Sequence, residues 1–280
     1  PADVARAMAE ALREAAAAAG VKPEELAGVG VGSTGDANGK TGVVSSARNL
    51  PDWEGSFPLG ETLTEALGAQ VRVGNDVQVA VEGEFQLGAG KEFDSLLGVW
   101  WGTGVGGGIV LDGKPWLGRG AAGEIGHVVI KRGGAKCPCG RRGCMEAYAG
   151  RAAMEAEARR QHEDGQKTDL FKLMHKHDKP RLTSGIWERA IDHGDELATK
   201  LIERAIEALG TGVASTCNVL DVEAVILGGG MGERLGARYM EPLATEMGKH
   251  LFVDDRPPAL RVAELGDLGG AIGASLLVEP

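Results

Sequence analysis

The amino-acid sequence predicts an α/β fold for this chain of 280 residues. Short segments rich in Val, Ile and Leu alternate with longer segments in which apolar residues recur every three or four positions, which is the pattern of strands followed by helices. Turn-rich stretches follow several strand-like segments, and loops in such places often carry function. A hydrophobic content of 43% and a charged content of 25% suit a globular protein with a large core.

The first half of the chain is predicted to start with helices that cover the rest of the fold and to continue with strands. Residues 3–19 are Ala-rich and end at Gly20, and Pro23 begins a short helical turn. Alternating Val and Gly predict a strand at 29–31 that stops at the turn-rich residues 32–35, where no regular element is expected to continue. The further elements predicted here are a helix at 61–67, a strand at 71–73, a helix at 77–85 and a β-hairpin within 95–111.

The second half of the chain is predicted to be mainly helical. Its apolar residues recur at helical spacing in three segments, after which strands, a glycine run and further helices follow. The predicted elements are helices at 151–160, 184–192 and 195–218, a strand at 223–227, the glycines 228–230, a helix at 231–249, a strand at 260–262 and a helix from 268. Residues 165–180 are polar and rich in Lys and His, which predicts an exposed excursion.

The charge and the composition exclude several classes of function. The formal net charge is −10 and the pI is near 5.2, so the field of the protein repels nucleic acid and anionic membranes. There is no apolar run of about 18 residues and no secretory leader, which predicts a cytoplasmic protein with no membrane partner. Four cysteines in a chain of this length do not make a disulfide framework, and Cys217, which stands alone, is expected in the core.

The other three cysteines form the most specific motif of the sequence. Cys137, Cys139 and Cys144 lie on a short knuckle whose glycines let the backbone turn, so that the three sulfur atoms converge. His127, ten residues upstream of Cys137, completes a tetrahedral set of one His and three Cys. A closed set of four protein ligands is typical of a structural zinc ion rather than a hydrolytic one. The alternative is a loop with free thiols.

Two glutamates flank this zinc motif. Glu124 precedes His127 by three residues and Glu146 follows Cys144 by two, so a loop folded on zinc would bring both carboxylates near the imidazole. Carboxylates accept hydrogen bonds from sugar hydroxyls, and a polar pocket rejects ligands that leave its groups unpaired. The cluster therefore indicates a polyhydroxyl ligand. Taken alone, each residue is more often a solvated or helix-capping acid.

A glycine-rich turn lies inside the predicted hairpin, at residues 102–108. Gly102, Gly104 and Gly107 match the dinucleotide fingerprint, but that fingerprint opens a helix, whereas residues 109–113 indicate a strand and a turn. No Gly-Lys-Ser/Thr follows to make a P-loop. Successive backbone N–H groups and the Thr103 hydroxyl are suited to cradle a phosphate, and the alternative is a plain tight turn.

Asn75 and Asp76 lie where the predicted strand at 71–73 gives way to a helix. A carboxylate at the carboxyl end of a strand in an open α/β sheet lies where ligands bind, and Asp can accept the proton of a hydroxyl during phosphoryl transfer. Taken alone, the pair is most often a turn dipeptide.

Together these motifs resemble the ROK family of bacterial sugar kinases and regulators, in which they occur in the same order. The resemblance covers nearly all of the chain, and its most specific part is the His/Cys/Cys/Cys signature between two glutamates. The motifs that carry it are Asn49-Leu-Pro-Asp-Trp53, Asn75-Asp76, the turn at 102–108, Glu124-x-Gly-His127, Cys137-x-Cys139-x4-Cys144-x-Glu146 and Leu227-Gly-Gly-Gly230.

The resemblance implies a two-lobed fold like that of actin-like ATPases and hexokinase, which is ribonuclease H-like, with a cleft between the lobes. One lobe is then expected at residues 1–93, with the C-terminal helix 268–280 packed on it, and the other at 94–267. The implied reaction is the ATP-dependent phosphorylation of a hexose at its 6-hydroxyl, with glucose as the leading candidate, Mg²⁺ bridging the phosphates and Asp76 as general base. Because the family commonly forms dimers or tetramers, a homodimer or homotetramer is expected.

The resemblance also assigns binding residues. The family's sugar contacts correspond to Asn49, Asn75, Asp76, Glu124, His127 and Glu146. Its second phosphate loop corresponds to Gly102, Thr103, Gly104 and Gly106, and its segment near the adenosine corresponds to Gly229 and Gly230. The implied zinc ligands are His127, Cys137, Cys139 and Cys144.

Departures from the family pattern leave alternatives open. The family's Asp-x-Gly-Gly-Thr phosphate loop has no match in residues 1–30, and it is expected upstream of Pro1. Arg48 stands where the family usually has Pro, and residues 33–35 depart from the common Pro-Gly. The sequence therefore does not determine which sugar binds. The alternative function is a non-catalytic sugar-binding or regulatory protein of the same fold. Polyphosphate is an alternative donor that would call for a basic groove, and a DNA-binding repressor is disfavoured because residues 3–19 form a single helix.

Overall fold

The computed structural model describes residues 1–47, residue 50 and residues 53–278, and its alternating strands and helices confirm the α/β class. The strands are β1 Val29–Ser33, β2 Asp36–Asn38, β3 Val43–Ser45, β4 Ser56–Phe57, β5 Val71–Asn75, β6 Leu96–Trp101, β7 Val105–Leu111, β8 Lys114–Pro115, β9 Ala224–Gly228 and β10 Ala259–Val262. The helices are α1 Ala2–Ala18, α2 Leu59–Leu67, α3 Asp76–Leu87, α4 Glu146–Ala149, α5 Arg151–Glu163, α6 Leu170–Lys176, α7 Ser184–Asp192, α8 Glu196–Leu220, α9 Gly229–Gly248 and α10 Gly269–Ser275. None of the helices in these ranges has the length and apolar content of a membrane span.

A five-stranded sheet in the order β10-β9-β6-β7-β8 organises most of the chain. β9 runs parallel to both β6 and β10, and every residue of β9 is buried, as expected for a strand that is covered on both faces. β6 and β7 form the predicted hairpin, in which Trp101 pairs with Val105 across the turn. The largest apolar cluster packs helices α4 to α9 on one face of this sheet, and α3 covers the other face.

A smaller parallel sheet carries the first candidate site residues. β1 and β5 pair so that Ser33, at the end of one strand, lies opposite Asn75, at the end of the other. The four valines of these strands face an apolar cluster that also contains residues of α1 and α2. β2, β3 and β4 form a further antiparallel sheet that the sequence analysis did not predict, because strands of two or three residues are too short to show an alternating pattern.

The predicted exposed excursion at residues 165–180 is wrong at its centre. Helix α6 lies there, and it buries Leu170, Leu173 and Met174 against the main core. The Asp195 carboxylate, at the start of α8, accepts two hydrogen bonds from the segment that leads into α6. Three buried apolar residues at helical spacing, with Phe171 partly buried beside them, are therefore enough to dock a helix of seven residues.

The C-terminal helix α10 packs against elements from the start of the chain. A Cβ atom at Gly30 of β1 would collide with the carbonyl oxygen of Ala274, and one at Gly273 would collide with the carbonyl oxygen of Val79 in α3. Glycine at both positions lets the backbones come into direct contact. The division of the chain into two lobes stays a prediction.

Candidate active site

A polar cleft of about 530 Å³ opens at the carboxyl ends of β1 and β5, the edge of a parallel sheet where α/β proteins bind ligands. Its walls come from the segment after β1, the first turn of α3, the loop that leads to His127 and the cysteine knuckle. The polar side chains on its lining include Asp36, Asn75, Gln78, Glu124, His127 and Arg141.

Asn75 caps helix α3 and fixes the neighbouring loop. Its Oδ1 accepts hydrogen bonds from the backbone N–H groups of Val77, at 3.0 Å, and Gln78, at 3.1 Å. Its Nδ2 donates to the carbonyl oxygen of Gly35 at 3.1 Å. One of the two amide hydrogens of Asn75 is left for a ligand in the cleft, so the residue can shape the site and bind in it.

Asp76 is the first residue of α3 and is exposed to solvent beside this cleft. Desolvation by the surrounding protein raises the pKa of its carboxyl group above the usual value of 3.8, although a hydrogen bond from the Val77 N–H opposes the shift. The next side chain, Val77, packs on β7 so closely that a Cβ atom at Gly106 would lie 2.8 Å from Val77 Cγ2. The first turn of α3, which carries Asp76, therefore packs against the strand that leaves the glycine turn.

His127 connects the cleft with the cysteine knuckle. Its Nδ1 lies 3.7 Å from Cys137 Sγ, and its Nε2 lies 3.8 Å from Glu124 Oε2. The Glu124 side chain is 59% exposed, so its carboxylate can still accept hydrogen bonds from a ligand. Nδ1 of the imidazole thus lies next to the knuckle, and Nε2 lies next to Glu124 in the cleft.

The four predicted zinc ligands converge. The ligand atoms of His127, Cys137, Cys139 and Cys144 all lie within 4.8 Å of one another, and the Sγ atoms of Cys139 and Cys144 are 3.8 Å apart. Sulfur ligands at the vertices of a tetrahedron around zinc are separated by about 3.8 Å, so the spacing of Cys139 and Cys144 matches the ion and the other two ligands lie close enough to complete the set. Burial raises the pKa of the Cys137 thiol to about 12, so a cation is needed to hold it as a thiolate at neutral pH.

Glu146 lies behind the knuckle and is joined to the glycine turn. Its Oε2 accepts a hydrogen bond from the Val105 N–H at 3.0 Å, and its Oε1 lies 3.7 Å from Cys137 Sγ. The carboxylate thus bridges the first residue of β7 and the predicted zinc ligands. Its predicted contact with the sugar stays a prediction.

The two glycine segments that the sequence analysis singled out are neighbours. The turn at 102–104 follows β6, and a hydrogen bond of 3.0 Å from Gly102 N–H to the carbonyl oxygen of Gly104 closes it. β7 follows the turn directly, as the predicted hairpin requires and as a dinucleotide fingerprint does not. Trp100 of β6 pairs with Gly228 of β9, so Gly229 and the turn lie side by side at the carboxyl ends of two parallel strands.

A family model described as the ROK family matches residues 1–280. The chain belongs to the ROK family. A curated relative, the glucokinase of Thermotoga maritima, is 34% identical over 86% of this chain and 74% of its own length. The solved structure of a ROK family glucokinase from Streptomyces griseus in complex with glucose and AMPPNP is 30% identical and covers 97% of this chain and 87% of its own, with a TM-score of 0.81. A ROK hexokinase from Thermus thermophilus is 33% identical and covers 99% and 86%, with a TM-score of 0.77.

These ROK neighbours confirm the predicted fold, which is that of actin-like ATPases and hexokinase. Of the residues that the ROK resemblance assigns to the sugar, Asn75, Glu124 and His127 lie on the lining of one cleft and Asp76 lies beside it. Asn49 is outside the described residues. The individual roles of these side chains are proposals, which we make below.

The sequence analysis missed two side chains that organise this ROK site. Gln78 Nε2 donates to the carbonyl oxygens of Ala122, at 2.9 Å, and Gly120, at 3.2 Å, and so ties the loop before Glu124 to α3. Arg151, at the start of α5, donates to the Thr103 hydroxyl at 2.7 Å. Each contact joins residues more than 40 positions apart, and no local pattern in the sequence marks such a pair.

Proposed function

We propose that this chain is an ATP-dependent hexose kinase that transfers the γ-phosphate of ATP to the 6-hydroxyl of glucose. The observation that supports the proposal is the placement of the first turn of α3, which carries Asp76 and lies between a polar cleft and the strand that follows the glycine turn. The cleft begins at the preceding residue, Asn75, and the following residue, Val77, packs on Gly106 just beyond the turn. The names of similar proteins, a glucokinase and a hexokinase of the same family, support this reaction.

In this proposal Asp76 is the general base. It accepts the proton of the sugar 6-hydroxyl while that oxygen attacks the γ-phosphorus in line, and the bond to the leaving ADP oxygen breaks as the new P–O bond forms. The raised pKa of Asp76 makes its carboxylate a stronger proton acceptor than an ordinary Asp. A general base of this kind contributes about 10²–10⁴ in rate.

The sugar is proposed to lie in the cleft beside Asp76. Carboxylate oxygens of Glu124 accept hydrogen bonds from its hydroxyls, and the imidazole of His127 and the remaining amide hydrogen of Asn75 add oriented partners. Asn49 and Glu146 are proposed to complete the set on the basis of the family resemblance. Glucose is favoured because the similar Streptomyces griseus structure contains it.

ATP is proposed to lie across the two neighbouring glycine segments. The phosphates are proposed to lie on the turn formed by Gly102, Thr103, Gly104 and Gly106, where N–H groups that are not bonded within the hairpin can donate to them, and Gly229 and Gly230 are proposed to lie near the adenosine. Bound Mg²⁺ would neutralise charge on the transferred phosphoryl group. In the described part of the chain the one group with metal-ligand spacing consists of His and Cys, which do not suit Mg²⁺, so we expect this ion to enter as its complex with ATP.

A structural zinc ion held by His127, Cys137, Cys139 and Cys144 is part of the proposal. The donor set is closed, so the ion shapes the loop and takes no part in the chemistry. Because the His127 ring faces Glu124 with its second nitrogen, zinc is expected to orient the sugar pocket as well as to stabilise the fold.

The setting of the enzyme is proposed on more general grounds. The net charge of −10 supports small-molecule partners, a sugar and ATP, rather than nucleic acid or a membrane. The family resemblance supports a homodimer or homotetramer that feeds phosphorylated hexose into glycolysis, and the cytoplasm is the location that we propose for it.

A coupled assay of ADP release tests the function. The protein is supplied with MgATP and with glucose, mannose, fructose or an N-acetylhexosamine in turn, and polyphosphate replaces ATP in a parallel series. We expect the highest kcat/KM for glucose with ATP. Sugar binding without ADP release would instead support the non-catalytic alternative, and turnover with polyphosphate but not with ATP would overturn the proposed donor.

A further inference from the structure

The first turn of α5 is bonded to the glycine turn through its backbone. The Arg151 N–H donates to the carbonyl oxygen of Gly102 at 3.0 Å, and the Ala152 N–H donates to the carbonyl oxygen of Thr103 at 3.0 Å. These bonds hold two carbonyl groups of the turn towards the helix. The groups of the turn that remain for a ligand are therefore mainly hydrogen-bond donors, namely N–H groups and the Thr103 hydroxyl.

The Arg151 side chain adds a fork that spans two elements. Its Nη2 donates to Thr103 Oγ1 at 2.7 Å, and its Nη1 donates to the carbonyl oxygen of Leu182 at 2.8 Å. Leu182 is fully buried just before α7, so this end of the fork is anchored in the core. The planar guanidinium makes both bonds with one rigid group, which the compact ammonium of lysine does not reproduce.

The hydrogen bond from Arg151 limits the directions in which the Thr103 hydroxyl can donate its own hydrogen. A hydroxyl group has one hydrogen to donate and can accept two hydrogen bonds, whereas a guanidinium only donates. Because Arg151 donates to Thr103 Oγ1, the hydrogen of that hydroxyl must point elsewhere. The oxygen atoms of a phosphate group only accept at neutral pH, so a hydroxyl whose hydrogen points away from Arg151 is matched to them.

We propose that Arg151 is a positioning residue for ATP. It orients the Thr103 hydroxyl so that this group donates a hydrogen bond to the phosphates of ATP. The inference rests on the proposed kinase function, and it adds a residue that neither the sequence motifs nor the family resemblance assigns. Arg151 acts through Thr103, so its contribution depends on that hydroxyl.

The test compares Arg151→Met and Arg151→Lys with the wild type and with Arg160→Met as a matched control. Arg160 lies on the same helix but pairs with Glu157 and Asp164 on an exposed surface. Steady-state kinetics and equilibrium binding of AMPPNP are measured for each protein, with the melting temperature as a check on folding. We expect Arg151→Met to raise the KM for ATP about 10-fold, the effect of losing a charge-assisted hydrogen bond, with the KM for sugar within about twofold of wild type.

Arg151→Lys keeps the charge and loses the fork, so it should show most of the same increase. The Arg160→Met control should leave both KM values within about twofold of wild type. Equal increases in the KM values for ATP and sugar would show a general structural role and overturn the inference. Should Arg151→Met fail to fold, the Lys variant decides, and an unchanged KM for ATP in that variant overturns the inference.

A double-mutant cycle tests the route through the hydroxyl. In a Thr103→Val background, Arg151→Met should change the KM for ATP by less than about twofold, because the group that it positions has been removed. Effects that multiply independently would overturn the inference and leave the kinase function intact. A wild type that binds AMPPNP without turnover would count against the proposed function alone, since AMPPNP affinity then replaces KM as the readout for Arg151.

Discussion

Asn75 and Asp76, two adjacent residues at the junction of β5 and α3, have different roles in the site. Asn75 uses its carbonyl oxygen to cap α3 and one of its two amide hydrogens to hold the Gly35 loop, so much of its hydrogen bonding is structural. Asp76 accepts one hydrogen bond from the Val77 N–H, and the residue keeps solvent-accessible surface although the surrounding protein partly desolvates its carboxylate. Only the second residue of the pair carries a carboxylate that can accept a proton.

The raised pKa of Asp76 gives a prediction for the pH dependence of kcat. Since a general base must be ionised, kcat should fall as the pH decreases through the raised pKa of Asp76, with a midpoint above 3.8, the ordinary value. The effect on folding has the opposite sign, because the charge of Asp76 is disfavoured by desolvation and its contribution to stability is lost as the pH rises through that pKa. A pH series of kcat at saturating substrate checks this, and a profile that stays flat down to the acid unfolding of the protein would contradict it.

At the residue scale, the sequence was informative wherever neighbouring positions carry the chemistry. The cysteine knuckle could be predicted because Cys137, Cys139 and Cys144 are close in sequence and their spacing matches a metal site. Arg151 could not, because its partner Thr103 lies 48 positions away and an Arg at the start of a helix has no distinctive pattern.

At the scale of elements, the loop that carries the predicted zinc ligands forms one wall of the cleft. Cys139 and His127 both line the cleft and belong to the ligand cluster. The Glu146 carboxylate connects the same loop to the start of β7. A change in metal binding should therefore reach the sugar site.

Cys139→Ser should lower the zinc content from about one ion per chain to well below one, and it should also raise the KM for sugar. The reason is that His127 loses the ion that fixes its ring beside Glu124. Cys217→Ser is the matched control, because Cys217 is buried in α8 and does not belong to the ligand cluster. Metal analysis and sugar kinetics measured on both variants check the prediction. A zinc-free Cys139→Ser enzyme with an unchanged KM for sugar would disconnect the metal from the pocket.

The elements that could be predicted are those long enough to show a period. The predicted helix at 184–192 coincides with α7, and the long helix α8 differs from its prediction by one residue at its start and two at its end. The three strands of the small antiparallel sheet and helix α6 were missed. In both cases the elements are too short to show a period, and packing against a distant surface stabilises them.

At the scale of the whole molecule, α3 joins parts of the chain that are far apart in sequence. Its first turn forms the rim of the cleft, and near its other end Glu84 is only 1% exposed. The Glu84 carboxylate accepts hydrogen bonds from the N–H groups of Glu264 and Leu265, at 3.0 and 2.8 Å, and from Ala89 at 2.9 Å. The segment between β10 and α10 is thereby tied to the helix that carries Asp76.

Glu84→Gln should lower the free energy of unfolding by about 1–3 kcal/mol, because an amide NH₂ faces backbone donors that need an acceptor. Glu82→Gln is the matched control on the same helix. Desolvation raises the pKa of Glu82, so its charge is disfavoured in the fold and its removal at neutral pH should not destabilise the protein. Denaturant unfolding of both variants checks this, and equal losses would show that the Glu84 bonds contribute nothing specific.

The central claim is that this protein phosphorylates glucose with Asp76 as the base, and the rate of ADP release by Asp76→Asn tests it most directly. We predict that kcat falls about 10²–10⁴-fold, while glucose affinity stays similar and the melting temperature at neutral pH does not decrease. Asp112→Asn is the control, because Asp112 lies in the turn between β7 and β8 with a positive φ of 51° that Asn also adopts. A folded Asp76→Asn protein that phosphorylates glucose at nearly the wild-type rate would contradict the account.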